Sequence, residues 1–325
     1  MKKIKIIAPI VFCIMLLAGC QKAYVPGKEN GKMNIVCTTF PQYDWTKNLI
    51  VGMEDQYEVK LLLNQGTDMH SYQPTAEDVV VISECDLLIY GGGESEEWVL
   101  DAIKESDNNE MRTLCLMEAA HENVKEEVVV EGMQSNGEEE EEESATIGGD
   151  EHIWLSLKNA KLLVTAIEEE IVQLDPKNRN LYDNNLESYV NQLDELDKEY
   201  EEAVANATYK TVLFGDRFPF LYLMEDYGLS YYAAFSGCSA ETEASFDTIT
   251  FLAEKLDAYD LPCVLVLENS DEKLANTIIS SSKRQSGTVV NMHAMQSVTK
   301  KDIDDGTTYL GLMKQNLEAL KKAIY

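Results

Sequence analysis

The sequence predicts an α/β protein of two sandwich-like lobes, each built on a mainly parallel sheet, joined by a long rigid helix. Three observations predict it. β-rich apolar runs alternate with helix-period stretches in both halves of the chain. One amphipathic stretch of unusual length lies between those halves. The roughly 300 residues that follow the leader are enough for two cores of ordinary size.

In order along the chain, Met33 to Phe40 reads as the first strand. A helix near Tyr43 to Ile50, a strand near Tyr57 to Leu63, a helix over Thr75 to Ser83 and a strand at Asp86 to Tyr90 follow it. Thr75 with Asp78 three residues on is a capping pair for the second of those helices. Leu157 to Leu174 has apolar positions at helical spacing and is closed by Asp175-Pro176. Leu181 to Ala205 is amphipathic throughout, and about 25 helical residues span on the order of 35 Å, which suits a strut between lobes. Strands are then expected at Thr211–Phe214, Ser230–Phe235, Cys263–Glu268 and Thr288–Met292, with helices near Phe246–Ala258, Lys273–Ser282 and Thr307–Ile324. The expected division is residues 33–176 for the N-terminal lobe, 177–206 for the connecting helix and 207–325 for the C-terminal lobe.

The first twenty residues read as a secretory leader. Lys2, Lys3 and Lys5 precede an uncharged apolar run from Ile6 to Ala18, shorter than the about 20 residues a membrane span needs. The run ends in Leu17-Ala18-Gly19-Cys20, which resembles the bacterial lipobox and marks Cys20 as a lipidation site. Residues 21–32 read as a flexible tether. The expectation is a soluble domain, lipid-anchored to the extracytoplasmic face of the cell membrane.

The formal net charge is −31 over 325 residues, and it grows more negative once the leader's lysines are gone. Such a surface repels nucleic acid and anionic lipid and attracts cations. Residues 126–151 contain eleven acids and no base, with six consecutive glutamates at Glu138–Glu143. This stretch reads as a mobile acidic loop, either a solvated insertion or a weak collector of cations. Cys37, Cys85, Cys115, Cys238 and Cys263 are scattered, odd in number and free of any C-x-x-C pair. They suggest neither a disulfide framework nor a thiolate metal site.

Only four histidines occur. In open α/β sheets ligands bind beyond the carboxyl ends of the strands, and His70, His293, Asp216 and Glu268 all fall just after or at the end of an expected strand. His152 opens the helical section at the junction of the lobes. His121, in EAAHENV, has no such placement. Imidazoles with a carboxylate suit a borderline cation such as Zn2+, whereas Mg2+ or Ca2+ calls for oxygen donors. H-E-x-x-H, G-x-S-x-G and the phosphate loop are absent, GGGESEEW failing the last two patterns, so an enzyme is not expected.

The segments DMHSYQPTAEDV, DLLIYGGGESEEWV and DEHIWLSLKNA, followed by a Tyr-Gly-Leu segment and ETEAS, resemble the substrate-binding lipoproteins of zinc and manganese ABC importers. The resemblance covers nearly the whole chain after the leader. It implies two lobes joined by one rigid helix, an interlobe metal site, and a monomer that delivers its ion to an ABC transporter permease and its ATPase. It matches His70 to the family's first histidine ligand, His152 to the second and His293 to the last, often an acid. In the third ligand's place this chain has Gly215, in FGDRFPF, so Asp216, Glu268 or a water is expected to complete the shell. Ser156 and Ala244 stand where the family often has Asp and Pro. Three imidazoles favour Zn2+ over the Mn2+ alternative. A surface adhesin with a structural metal is the competing expectation.

Overall fold

The computed structural model describes residues 31–134, 149–239 and 243–325. The leader, Cys20, most of the tether and the Glu138–Glu143 run lie outside the described residues.

The N-terminal lobe runs β1 (Met33–Cys37), α1 (Phe40–Leu49), β2 (Tyr57–Leu61), α2 (Ala76–Ser83), β3 (Leu87–Tyr90), α3 (Glu97–Glu105), β4 (Arg112–Cys115) and α4 (Leu116–Ala119). Two longer helices follow, α5 (Leu157–Leu174) and α6 (Arg179–Ala205). The C-terminal lobe comprises β5 (Thr211–Phe218), α7 (Leu221–Tyr227), β6 (Ser230–Ser236), α8 (Phe246–Ala258), β7 (Cys263–Leu267), α9 (Lys273–Ser281), β8 (Thr288–Met292), α10 (Lys300–Asp304) and α11 (Tyr309–Ile324).

The two sheets share one topology. Their strand orders are β2-β1-β3-β4 and β6-β5-β7-β8, so each lobe places its first strand between its second and third, and every paired strand is parallel. The chain reverses its direction of travel across each sheet at the first strand. Loops that leave the carboxyl ends on either side of that switch splay apart and leave a crevice. β3 and β7 are buried along their whole length, as continuous apolar runs in a doubly covered sheet should be.

Local chemistry sets the boundaries. The Thr75 hydroxyl accepts from Asp78 N–H at 3.2 Å and the Asp78 carboxylate returns a bond to Thr75 N–H at 2.7 Å, the reciprocal cap expected of α2. Ser156 caps α5 by accepting from Asn159 N–H at 2.9 Å. Its hydroxyl also donates to Asp226 at 2.6 Å.

The α6 helix is 27 residues long, and it is not a free-standing strut. It lies against α1, α5 and α11. At its start the Tyr182 hydroxyl meets Tyr57 of β2 at 2.7 Å and donates to Asp175 at 2.9 Å. Near its end the Tyr200 hydroxyl donates to the Met313 carbonyl of α11 at 2.7 Å. Buried apolar side chains of both lobes accordingly form one continuous core with α5 and α6, and a second, smaller core packs α8 and α9 on the far face of the second sheet.

The acidic stretch expected to be mobile from 126 to 151 is placed at both ends. Gln134 N–H donates to Ala234 O at 2.9 Å, a parallel bridge beside Phe235. Glu127 accepts from Cys238 N–H at 3.0 Å. Asp150 and Glu151 are buried. Glu127, Asp150 and Glu151 are therefore used as hydrogen-bond acceptors.

Candidate metal centre

His70 sits in a single 3-10 turn, Met69–Ser71, reached from β2 through a loop, and the Asp68 carboxylate caps that turn by accepting from His70 N–H at 3.0 Å. The Asp68 carboxylate is in turn paired with the Arg217 guanidinium of β5. His152 caps a second 3-10 turn, Ile153–Leu155, that leads into α5. Its ring is fully buried, stacked edge-on to Trp154 with centroids 5.4 Å apart.

The two imidazoles meet with Nε2 to Nε2 at 3.2 Å. Each is oriented from behind by a hydrogen bond at Nδ1, His152 to Asp150 at 2.8 Å and His70 to Ser95 at 2.7 Å. Asp150 can only accept, so the His152 Nδ1 carries the proton and its Nε2 presents a lone pair to the cluster. Such outer partners fix the tautomer and raise the basicity of a ligating imidazole. Two nitrogens about 2.05 Å from a tetrahedral Zn2+ would lie roughly 3.3 Å apart, close to the separation found.

The glycine triplet 91–93 builds the wall behind His70. Gly91 and Gly92 N–H donate to the buried Glu96 carboxylate at 2.6 and 3.0 Å, and the turn that follows delivers Ser95 to His70. Gly93 has φ +84°, and a Cβ there would meet the Glu151 side chain at 2.5 Å, so glycine admits that carboxylate. Glu151 accepts from Ser95 N–H at 2.8 Å through one oxygen. Its other oxygen, 4.0 Å from His70 Nδ1, is buried without a hydrogen-bond partner among the described residues.

Two further side chains reach the cluster from the C-terminal lobe. The Gln296 amide nitrogen lies 2.8 Å from His70 Nε2 and 2.6 Å from His152 Nε2. It follows Met295, a non-glycine residue held at φ +65°, a strained conformation of the kind that collects at functional sites. Cys238 follows the end of β6. Its Sγ and one ring nitrogen each of His70 and His152 lie within 4.8 Å of one another. Gly237 lets that loop come close, since a Cβ there would stand 3.0 Å from both His152 Cε1 and the Phe218 carbonyl oxygen.

His70 and His152 are thus brought together, while the other candidates lie outside this cluster. His293 pairs with Glu268 at 3.3 Å, and its Nδ1 accepts from Met295 N–H at 2.9 Å. Glu268 accepts from Ala294 N–H at 2.8 Å and from Ser297 at 3.2 Å. Asp216 is not beyond its strand, because β5 continues through a register shift to Phe218. Its carboxylate accepts from Leu267 N–H at 3.3 Å, at the end of β7, and from Arg217 N–H at 2.9 Å.

Electrostatics match a cation site. Burial, reinforced by the neighbouring His152, holds the His70 imidazole well below its usual range and so neutral. At His152 burial opposes charge, but the Asp150 carboxylate outweighs it and the net shift is upward. Burial also pushes up the Glu151 carboxyl, and burial with the carboxylates of Glu151, Glu127, Asp150 and Glu94 pushes up the Cys238 thiol. A groove of about 690 Å³ beside β2 contains none of these donors.

Residues 35–323 match the family model described as zinc-uptake complex component A, periplasmic. The chain belongs to this family. Zinc-uptake component A relatives include the zinc-binding lipoprotein AdcA of Streptococcus pneumoniae, 30% identical over 99% of this chain. The chain spans 61% of that relative's length. The high-affinity zinc uptake system protein ZnuA of Bacillus subtilis is 28% identical over 97% of this chain and 96% of its own. Among solved structures, the Zn(II)-bound ZnuA-like domain of S. pneumoniae AdcA superposes with TM-score 0.70 at 28% identity, covering 90% of this chain and 99% of that one. The expected resemblance to metal-importer binding lipoproteins and the two-lobed α/β fold are both borne out. Among the described residues no helix is long and apolar enough to cross a membrane.

Membership of the zinc-uptake component A family does not by itself find Cys238 or Gln296. The spacing of the cysteines to one another does not single out Cys238. Its position after a β-rich run, in the segment SGCS, is the signal that points to it.

Proposed function

We propose that the protein is an extracytoplasmic binding protein, lipid-anchored through Cys20 to the cell membrane, that captures Zn2+ between its lobes. It delivers the ion to an ABC transporter permease driven by its ATPase, acts as a monomer and catalyses no reaction. The observation that supports this reading most directly is the facing pair of Nε2 atoms of His70 and His152, 3.2 Å apart and oriented from behind by Ser95 and Asp150. A buried pair of lone pairs at that spacing suits a cation that prefers nitrogen ligands.

In this reading His70 and His152 form the fixed half of the site. His293 is the candidate to swing in from the C-terminal lobe on capture, giving up its Nδ1 contacts with Glu268 and the Met295 N–H. Asp216 and Glu268, with oxygens already accepting backbone N–H groups, fasten the ends of β7 and β8 that present the C-terminal half. Mn2+ favours oxygen ligands and stands low in the affinity order, so a centre led by imidazoles discriminates against it.

Calorimetric titration of metal-free protein with Zn2+ and with Mn2+ tests the assignment. Tighter binding of Zn2+, abolished in His70→Ala and His152→Ala, is the expected result. Equal or tighter binding of Mn2+ would overturn it.

A further inference from the structure

We infer that Cys238 supplies a thiolate ligand to the captured ion, as the third donor beside His70 and His152. The inference rests on the zinc-capture reading and adds a ligand to it.

The position of Gly215, expected from the sequence to stand in a ligand's place, faces away from this cluster: a Cβ there would stand 2.8 Å from Val264 Cγ1 and 3.0 Å from the Ala275 backbone, so β5 packs directly on α9 at this point. The third donor has to come from another element, and the end of β6, paired with β5, delivers Cys238.

Several independent features hold Cys238 there. Its N–H donates to Glu127 at 3.0 Å, and Ser239 N–H closes a turn onto Ser236 O at 3.3 Å. Gly237 removes the side chain that would otherwise push this turn off His152. Among the five described cysteines Cys238 alone is partly exposed, the other four being buried, so it is the one that an ion can reach. A tetrahedral zinc centre wants nitrogen and sulfur roughly 3.5 Å apart, and the present spread of up to 4.8 Å closes with a side-chain movement on the order of an ångström.

The Glu151 oxygen that is buried without a hydrogen-bond partner among the described residues adds negative charge next to this cluster, on the Nδ1 side of His70. An uncompensated buried carboxylate oxygen is costly, and a divalent ion held between His70, His152 and Cys238 offsets it. On capture the S–H bond breaks, the Zn–S bond forms and the proton leaves to solvent. Sulfur ligation also sharpens selectivity, because thiolate suits zinc and suits manganese poorly.

Cobalt(II) tests this on the full protein. Wild type loaded with Co2+ is expected to show an intense near-ultraviolet sulfur-to-cobalt charge-transfer band together with weak visible bands. Cys238→Ser is expected to lose the charge-transfer band, to keep the visible bands and to bind Zn2+ more weakly by more than the roughly 10–100-fold that loss of an outer partner costs. Alkylation of wild type followed by mass spectrometry needs no variant: Zn2+ should protect Cys238 from iodoacetamide. Cobalt bound by wild type without a charge-transfer band, or Cys238 alkylated equally with and without zinc, overturns the thiolate and leaves zinc capture standing. No binding of cobalt or zinc by wild type overturns the capture reading itself.

Discussion

Asp44 on α1 and Tyr309 at the start of α11 are 265 positions apart, and the Tyr309 N–H donates to the Asp44 carboxylate at 3.1 Å. The Tyr189 hydroxyl of α6 donates to the same oxygen at 3.4 Å. One buried carboxylate therefore ties both lobes to the long helix.

That tie has a pH signature. Burial raises the Asp44 carboxyl to about 6, against which the bonds from Tyr309 and Tyr189 pull only in part. A raised carboxylate means the folded chain binds more protons than the unfolded one between about pH 4 and 6, so stability falls as pH rises through that window and is level above it. The shift of about two units is worth at most about 3 kcal/mol. Asp44→Asn keeps an acceptor for both donors and removes the titration. Urea unfolding across that window should give a slope for the wild type that the variant lacks; parallel profiles would mean Asp44 stays charged throughout.

Asp150 holds His152 through both its Nδ1 and its backbone N–H, each at 2.8 Å. Asp150→Asn should leave the fold intact and weaken zinc binding by roughly 10–100-fold. Competition against a chromophoric chelator measures this, and an unchanged affinity would remove Asp150 from the site's support.

Gly237→Ala should act through contact alone. The new methyl would press on His152 and on the Phe218 carbonyl, both at 3.0 Å, and shift the imidazole or the Cys238 turn by a few tenths of an ångström. Sites of this kind need geometry held within about 0.5 Å, so zinc affinity should fall on the order of tenfold, about 1.4 kcal/mol. Calorimetry reads the affinity and thermal melting reads the fold, which should move little.

Ser156→Ala separates support of the helix from support of the site. Losing the cap on α5 should cost about 1 kcal/mol, within the 0.5–2 kcal/mol usual for such caps, and the bond to Asp226 is lost with it. Urea midpoints should drop while zinc affinity holds.

The long periodic stretches were legible in the sequence: α5 starts and ends where its apolar spacing and its closing Asp175-Pro176 place it. The short strand β4, four residues with only one buried, has too little pattern to stand out. At the site, His70 and His152 were legible because histidine is rare here, and because His70 follows an expected strand while His152 opens a helical section. Asp216 was misplaced relative to β5 because a register shift in a parallel strand leaves no mark in the residue pattern. Gln296 escaped because an amide is not a usual ligand type, and its position depends on the strained backbone at Met295.

The turn that follows His152 is held from two sides. Trp154 Nε1 donates to the Ala294 carbonyl at 2.9 Å, and the Tyr309 hydroxyl donates to the Trp154 carbonyl at 2.6 Å. A turn stitched in this way across the joint of the two lobes resists being pulled away from the C-terminal lobe. The proposed capture of an ion at this joint therefore falls to movable side chains, His293, Cys238 and Gln296, and not to a swing of the His152 turn.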